Sequence, residues 1–512
     1  MTLEALPGVV AVCAVAVATL VIGSWGLRLS RTTSDFFVAS RTVHPRLNAS
    51  AIGGEYLSAA SFLGVAGLLL TFGADMLWYP IGWTAGYVVL LALVAAPLRR
   101  SGAYTLPDFA EARLGSRGVR ALCSLLVVAI AWLYLIPQFQ GAGLTLRSAV
   151  GAPAWVGPVV VALVVLVNVG SGGMRSITLV QAFQYWLKLT ALLIPAAVLL
   201  AVWVGQGTPA ADVGAADLTE WSRPLADDCG RGLYLTYSLI IATFLGTMGL
   251  PHVVVRFYTN PDGAAARRTT MTVLGLLGIF YVIPPVYGAL GRVYAGELSR
   301  SGRSDALVLE LPRLMLDGPL GDALTGLVTA GAFAAFLSTS SGLSIAVAGV
   351  LGQDVFERGL LDRVVGPRLR GVAAFRAGCV VAVVVPLIVA LALPDLGVAR
   401  AVGLAFAVAA STFCPLLVLG IWWRRLTDVG AMCGLVVGFA GSGSAVVWAM
   451  LSRPTSGWAL LMEQPAAWSV PLAFLAMVLG SRLTAHRVPV HTRRFLARLH
   501  APEAIGLDRS SR

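Results

Sequence analysis

Runs of about 20 apolar residues recur from one end of this 512-residue chain to the other. Each is long enough to cross a ~30 Å hydrocarbon core as a helix. Charged residues make up only 12% of the chain and hydrophobic ones 57%, and a soluble fold could not bury that much apolar surface. The short alternating segments of a β-barrel are not seen. The reading is therefore an all-α membrane protein of about thirteen transmembrane helices. They fall at roughly 7–27, 48–72, 76–97, 119–146, 155–172, 178–204, 231–255, 270–294, 321–352, 373–393, 398–422, 430–451 and 467–483. The first run has neither a basic leader nor a clear small-residue cleavage site, so it is read as a retained helix.

Loop charge orients this array. With the N-terminus outside, the cytoplasmic loops and tail carry 27 arginines against ten acids, and the outer segments nine against 14. Short cytoplasmic loops are the ones enriched in Lys and Arg, so the C-terminal tail is placed in the cytoplasm. The formal charge of +12 then reports topology rather than a nucleic-acid partner. The reading has one transmembrane domain, 1–483, and a short basic tail, 484–512, too small for an enzyme domain. The long polar outer loops are 205–230 and 295–320. Six cysteines, Cys13, Cys123, Cys229, Cys379, Cys414 and Cys433, show no metal or disulfide spacing and are assigned to packing. No nucleotide-binding loop, nucleophile elbow or His-Glu-x-x-His run is found, so neither ATP use nor hydrolysis is expected.

Two segments read as interrupted. The second carries Gly53-Gly54-Glu55-Tyr56-Leu57-Ser58, and the seventh Gly246-Thr247-Met248-Gly249-Leu250-Pro251. Each opens a possible five-helix unit, 48–204 and 231–422, and an odd count gives the units opposite orientation. Paired broken helices near the midplane are the sequence sign of a solute and ion site, although membrane helices also carry glycine simply to pack closely. The ninth segment holds Ser338-Thr339-Ser340-Ser341. Hydroxyls there could ligate a hard cation, with a freed carbonyl at Ala335 about one turn away, or could bond back to the preceding turn.

Several ordered segments resemble one family. They are Phe36-Phe37-Val38-Ala39-Ser40-Arg41, Gly54-Glu55-Tyr56-Leu57-Ser58-Ala59-Ala60-Ser61-Phe62-Leu63-Gly64, Tyr104-Thr105-Leu106-Pro107-Asp108, Pro251-His252-Val253-Val254-Val255-Arg256-Phe257-Tyr258 and Leu337-Ser338-Thr339. Together they resemble the sodium:solute symporter family and, within it, the bacterial cation/acetate (monocarboxylate) symporters. The resemblance implies a leucine-transporter-type 5+5 inverted repeat, with one helix before the core and two after. It implies a Na⁺ site formed by the carbonyls of Gly54, Leu57 and Ala335 and the hydroxyls of Ser338 and Thr339. It further implies Na⁺-coupled symport of a short monocarboxylate such as acetate or pyruvate, at the plasma membrane. Glu55 departs from the aspartate common in that subgroup.

Glu55, the acid within a predicted span, is read as a cation-attracting or coupling group, or as a buried structural acid. Lys188, the single lysine, is read as a solute-carboxylate partner or a snorkelling residue in a packed patch. Tyr56, Ser58, Ser61 and Gln138 are expected to line the solute site together with Gly246 and Gly249, and Pro137 permits a bend beside Gln138. Arg256 is expected at an inner gate or against a loop, and His252 without a His or Cys partner is not a metal signal. Other nutrients (proline, a sugar) and a membrane sensor on the same scaffold are the alternative readings, and oligomeric state is left open.

Overall fold

The computed structural model describes residues 6–27, 39–211, 221–222, 231–357, 369–393, 397–451 and 457–503. Phe36, Phe37 and Val38 of the first motif, Cys229 and several loop arginines lie outside the described residues. Within them the chain is helical, and eleven segments are long and apolar enough to cross a membrane. Two of the eleven are bent internally. The run Val156–Gly205 turns at Gly173 (φ 57°, ψ −159°), a left-handed backbone that glycine adopts without strain. The run Ala60–Ser101 turns at Gly73 (φ 77°), which opens a 3₁₀ turn over Gly73–Leu77.

We label α1 Leu6–Leu27, α2 Pro45–Tyr56, α3 Val65–Phe72, α4 Trp78–Val89, α5 Ala95–Ser101, α6 Leu106–Leu114, α7 Arg117–Val150, α8 Val156–Gly205, α9 Arg231–Gly249, α10 Pro251–Phe257, α11 Gly263–Tyr281, α12 Ile283–Tyr294, α13 Pro319–Val350, α14 Gly371–Ala392, α15 Val398–Trp422, α16 Asp428–Leu451, α17 Ala466–Leu483 and α18 Thr492–His500. Proline stands in the first turn of α2, α6, α10, α12 and α13, where its missing N–H costs nothing.

The two interruptions are real, and both fall later in the chain than the glycines that drew attention to them. Helix α2 ends at Tyr56; Leu57 (φ −73°, ψ 83°) leaves helical geometry, and the chain re-enters through a π turn, Ala60–Gly64, into α3. Helix α9 runs unbroken through Gly246 and Gly249; the break is at Leu250 (φ −72°, ψ 118°), and Pro251 starts α10. Gly53 and Gly54 allow close packing on α8: a Cβ on Gly54 would lie 2.1 Å from the Gln181 carbonyl oxygen.

The core sits around α13 and α15, whose apolar windows are 94% and 89% buried, against 28% for the peripheral α1. Helix α13 packs on α7, α8 and α1, helix α2 packs on α8, and α9 packs on α15 and α4. The hydroxyl-rich stretch of α13 is therefore interior along its whole length: Ser338, Thr339, Ser340, Ser341 and Ser344 are all buried.

At one end, charges counted above only for orientation form a buried network. Arg120 reaches Asp108 at 2.6 Å, Glu111 at 2.7 Å and Asp354 at 2.6 Å. The motif Tyr104–Asp108 also builds a capping box: the Thr105 hydroxyl accepts from Asp108 N, and the Asp108 carboxylate accepts from Thr105 N, two reciprocal contacts that define a helix start. Within the basic tail, Thr492–His500 forms α18, tied down by Arg113, which donates to the Thr492 hydroxyl at 3.1 Å and the Gly420 carbonyl at 2.9 Å.

Gly54→Ala should be destabilising by about 1–3 kcal/mol through overpacking, read as a lower midpoint of thermal unfolding in detergent. An unchanged midpoint would mean that α2 and α8 are not in this contact.

Candidate cation and solute site at the helix α2 break

Ending α2 at Tyr56 frees backbone groups in the protein interior, and their partners define the site. The Lys188 side chain, on α8 and fully buried, points its Nζ into the break. It donates to the Leu57 carbonyl at 2.7 Å, to the Ser338 hydroxyl at 2.9 Å and to the Gly54 carbonyl. Ser338 in turn donates to the Ala335 carbonyl at 3.0 Å, and Thr339 donates to the Glu55 carbonyl at 2.7 Å. All five positions expected to ligate Na⁺ are thus brought together between α2 and α13. Three of them, Gly54, Leu57 and Ser338, already accept from the Lys188 Nζ, and three donated hydrogen bonds are the full complement of an ammonium. Lys188 does not snorkel to an interface. An ammonium this deep needs oxygen partners, and the broken helix supplies two carbonyls.

A second charged cluster adjoins the first. Arg256, fully buried on α10, donates from Nε to Glu55 Oε2 at 2.6 Å, from one terminal nitrogen to the Thr178 hydroxyl at 3.0 Å and from the other to the Gln181 amide oxygen. Gln181 also donates to the Ser338 carbonyl at 2.7 Å. Arg256 packs against helices rather than a loop, in a buried ion pair that joins the two broken helices through α8. Glu55 is a paired acid here, and its Oε1 has no hydrogen-bond partner. Gly342 makes room for it: a Cβ there would lie 2.0 Å from Oε1.

On the other side of the break the groups are neutral. Gln138 Oε1 accepts from Ala59 N at 3.0 Å, capping the re-entering chain, and the Tyr134 hydroxyl donates to the Ser58 hydroxyl at 3.2 Å. The Tyr134 ring meets the buried His252 ring edge-on at 5.4 Å, and neither His252 nitrogen has a hydrogen-bond partner. Tyr56 shares a 2.8 Å hydrogen bond with Thr247, as Ser61 does with Tyr281. Phe406 packs against the rings of Tyr56, Trp83 and Tyr134. The expected solute residues Tyr56, Ser58, Ser61 and Gln138 therefore surround the break. Gly246 and Gly249 do not belong with them: Cβ atoms there would lie 2.4 Å from the Phe406 carbonyl and 2.3 Å from that of Ala409. These two glycines let α9 lie against α15.

Sequence reasoning missed Gln181 and Thr178, which read as ordinary polar residues on an apolar span. It also missed Tyr134 and His252 as neighbours. A signal did exist for Lys188: a lone lysine well inside an apolar run must find partners.

Arg256→Ala, which strands the Glu55 carboxylate, should cost about 3–5 kcal/mol of stability, seen as a large fall in the thermal midpoint. The double change Glu55→Gln with Arg256→Gln should recover most of that loss. Equal losses in the single and double variants would contradict the pairing.

The sodium:solute symporter family model matches residues 36–438. The uncharacterized symporter YwcA of Bacillus subtilis (strain 168) is 30% identical over 489 residues, covering 92% of this chain and 93% of that one. A Na⁺-coupled sialic acid symporter, solved substrate-bound and outward-open, superposes with a TM-score of 0.69 at 17% identity, over 94% of this chain and 98% of that one. Mhp1, a nucleobase-cation-symport-1 family transporter solved in a closed conformation with bromovinylhydantoin, gives a TM-score of 0.55 at 15% identity, over 92% and 99%. MhsT in complex with L-phenylalanine gives 0.51 at 17%, over 86% and 99%. The chain therefore belongs to the sodium:solute symporter family: it is a multi-pass membrane transporter with Na⁺ as its coupled ion, and not an enzyme.

Proposed function

We propose that this protein imports a short monocarboxylate, of the size of acetate or pyruvate, across the plasma membrane by symport with Na⁺. The observation that carries the reading is the α2 break, with Ser58, Tyr134, Gln138 and His252 gathered on one side and the oxygens of Gly54, Leu57, Ala335, Ser338 and Thr339 on the other. A broken helix turns backbone N–H groups toward its interruption, which favours an anion. His252, buried and without a hydrogen-bond partner, offers a donor of the kind a carboxylate accepts. The hydroxyls and carbonyls opposite are the hard oxygen ligands that suit Na⁺. The acetate-like motif run of α2 and α3 supports a small carboxylate over proline or a sugar.

In this reading the chain crosses thirteen times with its N-terminus outside, and 48–204 and 231–422 form inverted repeats. Solute and ion bind where the repeats meet, and one bundle rocks against the other. The charge bias of the loops supports that orientation.

Purified protein in liposomes should accumulate labelled acetate or pyruvate several-fold more with an inward Na⁺ gradient than with an inward choline gradient. Proline should not compete. Equal uptake under both gradients would end the Na⁺-coupled reading, and competition by proline would end the monocarboxylate reading. Ser338→Ala combined with Thr339→Ala should abolish the Na⁺ dependence; if that dependence persists unchanged, these hydroxyls do not hold the ion.

A further inference from the structure

Three of the five expected Na⁺ ligands are the atoms that Lys188 contacts. The ammonium takes the carbonyls of Gly54 and Leu57 and the hydroxyl of Ser338, the oxygens that a free cation between α2 and α13 would require. Its α8 neighbours Gln181 and Gln184 are spent on Ser338 O with Arg256, and on Thr19. Gly53 and Gly54 bring the α2 backbone directly onto α8, so the lysine need not stretch to arrive. A positive charge fixed on those oxygens excludes a second one, because like charges at contact distance in a weakly polarisable interior repel strongly. The ammonium also does mechanically what a bound ion would do, joining α2 to α13 across the break.

We propose that Lys188 is a built-in cation for this site: its ammonium and Na⁺ are mutually exclusive occupants, and Na⁺ enters only when the lysine swings out of the α2 break. The lysine thus sets a ceiling on Na⁺ affinity and holds the α2–α13 junction closed in the absence of the ion. Glu55 and Arg256 neutralise each other beside it, so the tethered charge is the unbalanced one in the cluster. The proposal rests on the Na⁺-coupled reading above, but the two can fail separately.

The test measures ²²Na⁺ binding to the purified full-length protein, titrated with NaCl at constant ionic strength. Removing the charge with Lys188→Met or Lys188→Gln should lower the half-saturating Na⁺ concentration by about tenfold or more, while Lys188→Arg, which keeps a tethered cation, should not. Adding Ser338→Ala to Lys188→Met should reverse the gain. Equal half-saturation in wild type and Lys188→Met overturns the proposal, as does loss of Na⁺ binding in a folded Lys188→Met protein. A wild type that shows no Na⁺-driven uptake, beside a Lys188→Met protein that binds Na⁺, ends the symport reading and upholds this one. Should neither uncharged variant fold, hydrogen exchange of the wild type decides. Na⁺ at a concentration that drives uptake should speed exchange around Lys188 on α8, and unchanged exchange there overturns the proposal.

Discussion

An ammonium buried at hydrocarbon depth must be given oxygens, and in this molecule a helix is interrupted where they are given. The α2 break at Leu57 and Ser58 frees carbonyls that Lys188 takes. The hydroxyl stretch of α13 supplies the third partner, and the two glycines of α2 bring the backbones close enough for the contact. The remaining features of the centre follow from that placement. Gln181, one turn before Tyr185 on the same helix, links Ser338 to Arg256, and Arg256 holds Glu55. Two broken elements, α2 and the α9–α10 junction, and the hydroxyl-bearing part of α13 are thereby tied to one helix, α8.

Polar groups of this kind stabilise poorly but specify well. A buried ion pair roughly offsets its own desolvation, while removal of one partner is costly. The Glu55–Arg256 pair and the Lys188 cluster are therefore better understood as devices that fix which conformation the α2–α13 junction adopts than as sources of net stability. A junction held by a movable side chain has two arrangements, which is what an alternating transporter needs from its ion site.

Much of this was legible in the sequence. Apolar runs located the spans, because hydrocarbon thickness fixes their length, and the ordered motifs brought Gly54, Leu57, Ala335, Ser338 and Thr339 to one place. What could not be read was contact between helices far apart in the chain. Gly246 and Gly249 looked like a break because glycine permits one, but the same residue permits a helix to lie on another, and only the position of the Ala409 and Phe406 carbonyls decides between the two. Arg256 sat near a span end, where arginine is common, and its partner Glu55 lies some 200 positions away. The bend at Gly173, by contrast, falls in the gap between the predicted helices 155–172 and 178–204.

The central claim is that the oxygens of the α2 break hold one cation at a time. A side-chain-resolution density map of the protein in saturating NaCl, beside one in choline chloride, tests it most directly. In choline the Lys188 density should run unbroken to the Gly54 and Leu57 carbonyls. In Na⁺ it should be withdrawn, with a separate ion density against those carbonyls and the Ser338 hydroxyl. Lys188 density still seated on the same oxygens under Na⁺ that drives transport would contradict the account.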